Sequence, residues 1–223
     1  MIMENFDTVK TVRFRMLNGR CCEKQLTQQI ADIHMQTFTG FFLSFLGKNF
    51  LTQLYEGYCS HLESGLIIAE EEDRIVGFLA YSKNLTSFYK YLICKSWYKF
   101  AWYSLGAAIR KPSTMKRLVR ALLKPRESKR DEPFVELSSI GVLPEVKNQH
   151  IGSQLINMLK SEFDPQKFTY IKLETDAENN TGTNLFYLHN GFVLNGNYTT
   201  PEGRSMNEYR YYPELQKQQV FQQ

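Results

Sequence analysis

Residues 11–16 (Thr-Val-Arg-Phe-Arg-Met) alternate in the period-2 sense of a half-buried strand, and Leu17-Asn18-Gly19 reads as the turn that closes it. The spacing then changes. Across residues 23–35 Leu26, Ile30, Ile33 and His34 recur at helical intervals, so a first strand feeds a helix. A second helical run over residues 39–59 carries Phe42, Leu43, Leu46, Phe50, Leu51, Leu54 and Tyr55 and is interrupted near Gly47. Two short apolar runs, residues 66–69 and 75–81, flank a charged link at residues 70–74 and predict a hairpin.

From residue 84 the pattern differs. Aromatic and basic residues interleave through Phe88-Tyr89-Lys90-Tyr91 and Trp97-Tyr98-Lys99-Phe100. Residues 113–123 then place Met115, Leu118, Val119, Leu122 and Leu123 largely opposite Lys116, Arg117 and Arg120. Two or three amphipathic helices fit this stretch, followed by a polar loop at residues 125–133. The remainder reads as a strand (134–142), a helix (151–163), a strand (169–173), a helix (180–189) and two strands (192–198 and 206–212), with a frayed Gln-rich tail from Gln216. Alternating elements without repeats predict one α/β (α+β) domain over residues 1–223, with a helical insertion at about 84–131 between the third and fourth strands.

Composition narrows the class. Apolar residues make up 43% and aromatics 14%, enough for a core and against disorder. The first seven residues hold neither a basic segment nor an apolar run, so we expect a cytoplasmic protein. Cys21, Cys22, Cys59 and Cys94 lack metal-ligand or framework spacing and are expected as reduced, structural thiols; no metal site is expected. Residues 84–131 hold twelve Lys or Arg against Glu127 and Asp131. The insertion therefore carries +10 and the rest of the chain −6, since the net charge is +4. Such a segment suits a lid over an anionic acceptor, contact with an acidic membrane surface, or a solvated helical cover, and the lid is the reading we favour. No recognised nucleic-acid module accompanies it, so no nucleic-acid partner is expected.

The richest chemistry lies where the strand ending at Val142 meets Pro144, a polar loop, and a helix starting near Ile151. A strand-loop-helix junction of this kind aims unpaired N–H groups at the positive end of a helix dipole, and Gly152 lets the backbone approach a phosphate.

Two motifs at this junction and beyond it resemble those of the GNAT superfamily of acetyl-CoA-dependent N-acetyltransferases. Val142-Leu143-Pro144 followed by Lys147-Asn148-Gln149-His150-Ile151-Gly152 is similar to its loop, departing at Lys147 (Arg or Gln in the family) and at His150 (Gly in the family). Asn180 with Phe186-Tyr187-Leu188-His189-Asn190-Gly191-Phe192 resembles its second signature and is intact. The resemblance covers roughly residues 134–196. It implies a GNAT fold, a mixed and mostly antiparallel sheet of about six to seven strands flanked by helices. It also implies acetyl-CoA as cosubstrate, lying along the backbone of Ile140, Gly141 and Val142. Lys147, Gln149, His150, Ile151, Gly152 and Ser153 would surround the pyrophosphate.

Further roles follow from the resemblance. Tyr187 takes the part of general acid, and a phenol suits a thiolate leaving group. Glu136 stands where histone acetyltransferases of the superfamily keep a catalytic Glu and is the candidate base, the alternative being an exposed strand position. A water path lined by Ser138 and Ser139 is the other route for the proton that base would take, and Ser138 is also a candidate contact of the acceptor. Asn180 would contact the cofactor or cap its helix, and His34 and Tyr55 would turn polar tips toward the acceptor. Family members often dimerise through their last strands, where Tyr209, Tyr211 and Tyr212 suit an interface or a core. The implied function is direct acetyl transfer to a primary amine of a small molecule, such as an amino sugar or another anionic acceptor. The rivals are acetylation of protein Lys or N-terminal amines, and a non-catalytic acyl-CoA-binding sensor.

Overall fold

The computed structural model describes residues 11–19, 22–110 and 132–213. Strand β1 (Val12–Asn18) runs past the expected turn, because Leu17 and Asn18 pair with Leu66 and Gly65; the chain bends only at Gly19, where φ is +60°. Helices α1 (Lys24–Thr37), α2 (Phe42–Phe45) and α3 (Lys48–Ser60) follow. Gly47 separates the last two at φ 91°, a conformation side chains resist. Strands β2 (Ser64–Glu71) and β3 (Arg74–Ser82) form the hairpin, turning at Glu72-Asp73. Helix α4 (Leu85–Arg110) is bent at Ser96, whose φ of −145° leaves the helical region. The amphipathic stretch expected at 113–123 lies outside the described residues, as do most of the loop after it and the Gln-rich tail.

Strand β4 (Phe134–Val142) matches its expected bounds and leads through a 3₁₀ turn (Pro144–Val146) to α5 (Ile151–Ser161). Then come β5 (Tyr170–Asp176), α6 (Thr181–His189), β6 (Val193–Thr199) and β7 (Ser205–Tyr211). The seven strands form one sheet in the order β1-β2-β3-β4-β5-β7-β6. Its single parallel pair is β4 with β5; every other neighbour is antiparallel.

Adjacent side chains of β3 show how the layers are arranged. At Gly77 an added Cβ would lie 3.1 Å from Ile151 and 3.4 Å from Leu155 of α5, whereas the Phe78 ring meets Tyr55 of α3 at 5.1 Å. Successive residues of a strand face opposite sides, so α5 covers one face of the sheet and α1 with α3 cover the other. β2 and β3 are consequently buried along almost their whole length. Tyr209 and Tyr211 lie in this core.

The expectation of reduced thiols fails at one pair. Cys22 and Cys59 are joined by a disulfide, with Cα atoms 5.9 Å apart. Cys22 precedes α1 and Cys59 sits in the last turn of α3; packing of these helices brings together residues 37 apart in sequence, a proximity that spacing alone does not display.

Candidate active site

β4 and β5 pair over three residues only, Phe134 with Tyr170, Val135 with Ile171 and Glu136 with Lys172. Beyond that point β4 pairs with β3 alone and β5 with β7 alone. Residues 137–142 and 173–176 thus form the two arms of a V, each presenting a backbone edge that its neighbour leaves unused.

On the β4 arm the environment is apolar and crowded. An added Cβ at Gly141 would sit 2.9 Å from Phe78, 3.0 Å from Thr37 and 3.4 Å from Phe38, so glycine is what allows the end of α1 to rest on the strand. Deeper in, His34 Nδ1 lies 2.6 Å from the Tyr55 hydroxyl, and that hydroxyl also reaches Ser139. Burial pushes the His34 pKa down from 6.5 to about 4 and raises that of Tyr55. Whichever partner holds the shared hydrogen, His34 Nε2 is buried with no partner of its own. The Tyr58 hydroxyl points toward Ser138, whose Oγ is buried and completes no hydrogen bond of regular geometry. Two orphaned polar atoms in one apolar wall are costly unless something else satisfies them.

The β5 arm is built from charges instead. Lys172, 3% exposed at its side chain, lies 2.8 Å from Glu174 Oε1 and 3.6 Å from Glu136 Oε2. Glu136 is itself 7% exposed, which overturns the exposed-strand alternative for it. Tyr198 of β6 donates to Glu174 at 2.6 Å, and Arg204 grips Asp176 with bonds of 2.6, 2.8 and 3.1 Å. The Arg204 guanidinium also lies 5.5 Å over the Phe41 ring, and Phe41 packs edge-on against Phe38 at 5.6 Å. Phe38, Phe41 and Arg204 therefore bridge the mouth of the V from the β4 side to the β5 side.

The expected phosphate loop sits just beyond the tip of β4. Lys147, Asn148, Gln149 and His150 are all exposed. His150 takes the left-handed conformation (φ 59°, ψ 11°) that favours glycine, at a cost of about 1 kcal/mol that His tolerates better than most residues. It occupies the N-cap position without a side-chain cap, and no acidic residue stands in the first turn of α5. The leading N–H groups and the positive dipole end stay uncompensated. Gly152 serves packing as well, because an added Cβ would lie 3.1 Å from the Phe186 ring of α6. A phosphate-bearing ligand with an extended polar arm fits this constellation: an open strand edge for the arm and an uncapped helix end for the phosphates.

Tyr187, on α6, is 6% exposed and packs against Phe186, Phe192 and Tyr209; burial raises its phenol pKa. Asn180 departs from the capping expectation. It stands at the N-cap of α6 but makes no capping bond, donating instead to Thr175 Oγ1 at 2.8 Å and to the Asp176 carbonyl at 3.1 Å. Its amide therefore ties α6 to the β5 arm. Lys172 and Arg204 escaped the sequence analysis. Isolated between Ile171 and Leu173, Lys172 reads as a solvent-facing strand residue, and only the β4–β5 register sets it against Glu136. An open depression lined by Arg13, Phe14, Arg15, Glu70, Glu72 and Asp73 contains none of these groups, and its Arg15 is already paired with Glu70.

The sequence profile of the Acetyltransferase (GNAT) family matches residues 27–192. No curated protein sequence matches the chain. Among solved structures, a Desulfovibrio desulfuricans protein assigned to the GNAT family is similar over 91% of this chain and 99% of its own, at 15% identity and a TM-score of 0.59. Arabidopsis thaliana NAA60, solved with acetyl-CoA, is similar over 92% and 99% at 15% identity and 0.54. Drosophila melanogaster polyamine N-acetyltransferase is similar over 90% and 100% at 10% identity and 0.52. At such identities the likeness is one of fold.

Proposed function

Because the chain belongs to the GNAT acetyltransferase family, whose cosubstrate is acetyl-CoA, we propose that it transfers the acetyl group to a primary amine of a small molecule by direct attack. The observation that carries this reading is the V between β4 and β5, with its free backbone edge running into the uncapped N-terminus of α5. In this reading Ile140, Gly141 and Val142 offer backbone to the pantetheine arm. Lys147, Gln149, His150, Ile151, Gly152 and Ser153 hold the pyrophosphate, chiefly through N–H groups, and Asn180 steadies the β5 arm beside them. Bound acetyl-CoA supplies a thioester carbonyl open to attack.

Tyr187 keeps its proton through neutral pH because burial raises its pKa, and it delivers that proton to the departing thiolate. The same apolar surroundings raise the pKa of a thiol, so donor and acceptor stay near balance. Glu136 takes the proton of the incoming amine, directly or through water, while Lys172 fixes its carboxylate. His34 and Ser138 face the acceptor with polar atoms that lack partners, and Tyr55 lines the same wall with its hydroxyl bonded to His34. The bridge of Phe38, Phe41 and Arg204 narrows the entrance, which favours a small acceptor over a polypeptide.

Calorimetric titration with acetyl-CoA, paired with an amine-acceptor screen, tests the proposal. Affinity tighter than about 100 μM, roughly 5.5 kcal/mol, with turnover of a small amine supports it. Affinity without turnover of any amine would replace it with a sensor role.

A further inference from the structure

The two tryptophans of this chain, Trp97 and Trp102, both lie on α4, where they are 64% and 72% exposed. Tyr98 beside them is 56% exposed. Beyond the bend at Ser96, positions 97, 98, 101 and 102 share one side of the helix, and all four are exposed. The opposite side is already used. Phe100 meets Phe50 of α3 at 4.9 Å, and before the bend Phe88 meets Tyr58 at 4.1 Å. Helix α4 is thus apolar on two faces and covered by protein on one. Large aromatic side chains rarely stand clustered in water, and such a patch marks a surface that something else covers.

Charge and side-chain type indicate what that is. From Leu85 to Arg110 the helix holds Lys90, Lys95, Lys99 and Arg110 and no carboxylate. Lys95 is held beside the patch by Tyr91, donating to its hydroxyl at 2.6 Å. Trp and Tyr rings favour the headgroup level of a bilayer, and neighbouring Lys side chains favour its phosphates. No helix among the described residues is long and apolar enough to cross a membrane, so α4 would lie in the interface plane.

We propose that α4 docks the protein on an anionic lipid surface, with Trp97, Tyr98 and Trp102 set among the headgroups and Lys95 and Lys99 on lipid phosphates. The inference is independent of acetyl transfer, since none of these side chains belongs to the site between β4 and β5. Both tryptophans sit on the docking face, so their fluorescence reports directly on its surroundings.

The full chain is mixed with vesicles of phosphatidylcholine alone and with phosphatidylserine added, following tryptophan emission, quenching by lipids brominated on their acyl chains, and co-sedimentation. The proposal expects a blue shift, quenching and pelleting with the anionic vesicles only. Lys95→Glu/Lys99→Glu should lower vesicle binding at least about tenfold, and Trp97→Ala/Trp102→Ala should abolish it, with unchanged circular dichroism and melting. Emission unchanged by anionic vesicles, or equal binding to neutral ones, would overturn it. So would emission already blue and shielded from iodide in the free protein, which would mean that another part of this chain or a second copy covers the face; sedimentation equilibrium tells these two apart.

Discussion

The two arms of the V are built by different means. The β4 arm offers backbone, glycines and an uncapped helix end among apolar side chains, whereas the β5 arm is a row of paired charges, Lys172, Glu174 and Asp176, locked by Glu136, Tyr198 and Arg204. In the proposed function the β4 side holds the cosubstrate by its backbone, which tolerates substitution, so His150 and Lys147 can stand where the family pattern has other residues. Paired charges do not, so the β5 arm is where single substitutions should cost the most stability.

The sharpest expected effect lies beside that arm. Tyr187→Phe removes one oxygen, and we expect turnover to fall by about 10²–10⁴-fold with acetyl-CoA affinity retained, read by steady-state kinetics beside calorimetry. An unchanged turnover would remove Tyr187 from the acid role. Next comes Lys172→Met, which leaves buried Glu136 and partly buried Glu174 without their shared cation. Breaking a buried pair in this way costs about 3–5 kcal/mol, visible in urea denaturation. A loss under about 1 kcal/mol would mean that the triad is better solvated than its burial indicates.

The β4 arm should answer to pH. Burial lowers the folded-state pKa of His34, so as pH falls the unfolded chain protonates first, near 6.5, and the folded chain only near 4. Its contribution is therefore complete above pH 6.5 and is lost toward pH 4, by up to about 3 kcal/mol. Because carboxylates titrate in the same range, the difference between the parent and His34→Phe isolates it; parallel pH profiles would contradict the burial argument. The smallest effects are expected in the loop, where Lys147→Ala and Gln149→Ala should each weaken acetyl-CoA by no more than about threefold, some 0.7 kcal/mol, if N–H groups do the holding. A loss beyond tenfold for either would make the β4 arm a side-chain site after all.

Much of this contrast was legible from the chain. Phe134–Val142 shows its strand by apolar content, Gly47 its helix break by residue type, and Tyr187 its position on a helix by motif. What stayed hidden depends on elements distant in sequence. The bond between Cys22 and Cys59 needs α1 packed on α3, and the role of Lys172 needs the parallel register of β4 and β5. Asn180 shows a further limit: composition marks it as a cap, yet nearby acceptors on β5 take its amide hydrogens instead.

The central claim is that acetyl-CoA lies along the free edge of β4 and ends at the start of α5. Hydrogen exchange of the backbone amides, with and without acetyl-CoA, tests it most directly. We predict slower exchange confined to residues 137–142 and 149–153 when the cosubstrate is present, with the rest of the sheet unchanged. Unaltered exchange there, or protection centred on other elements, would contradict the account.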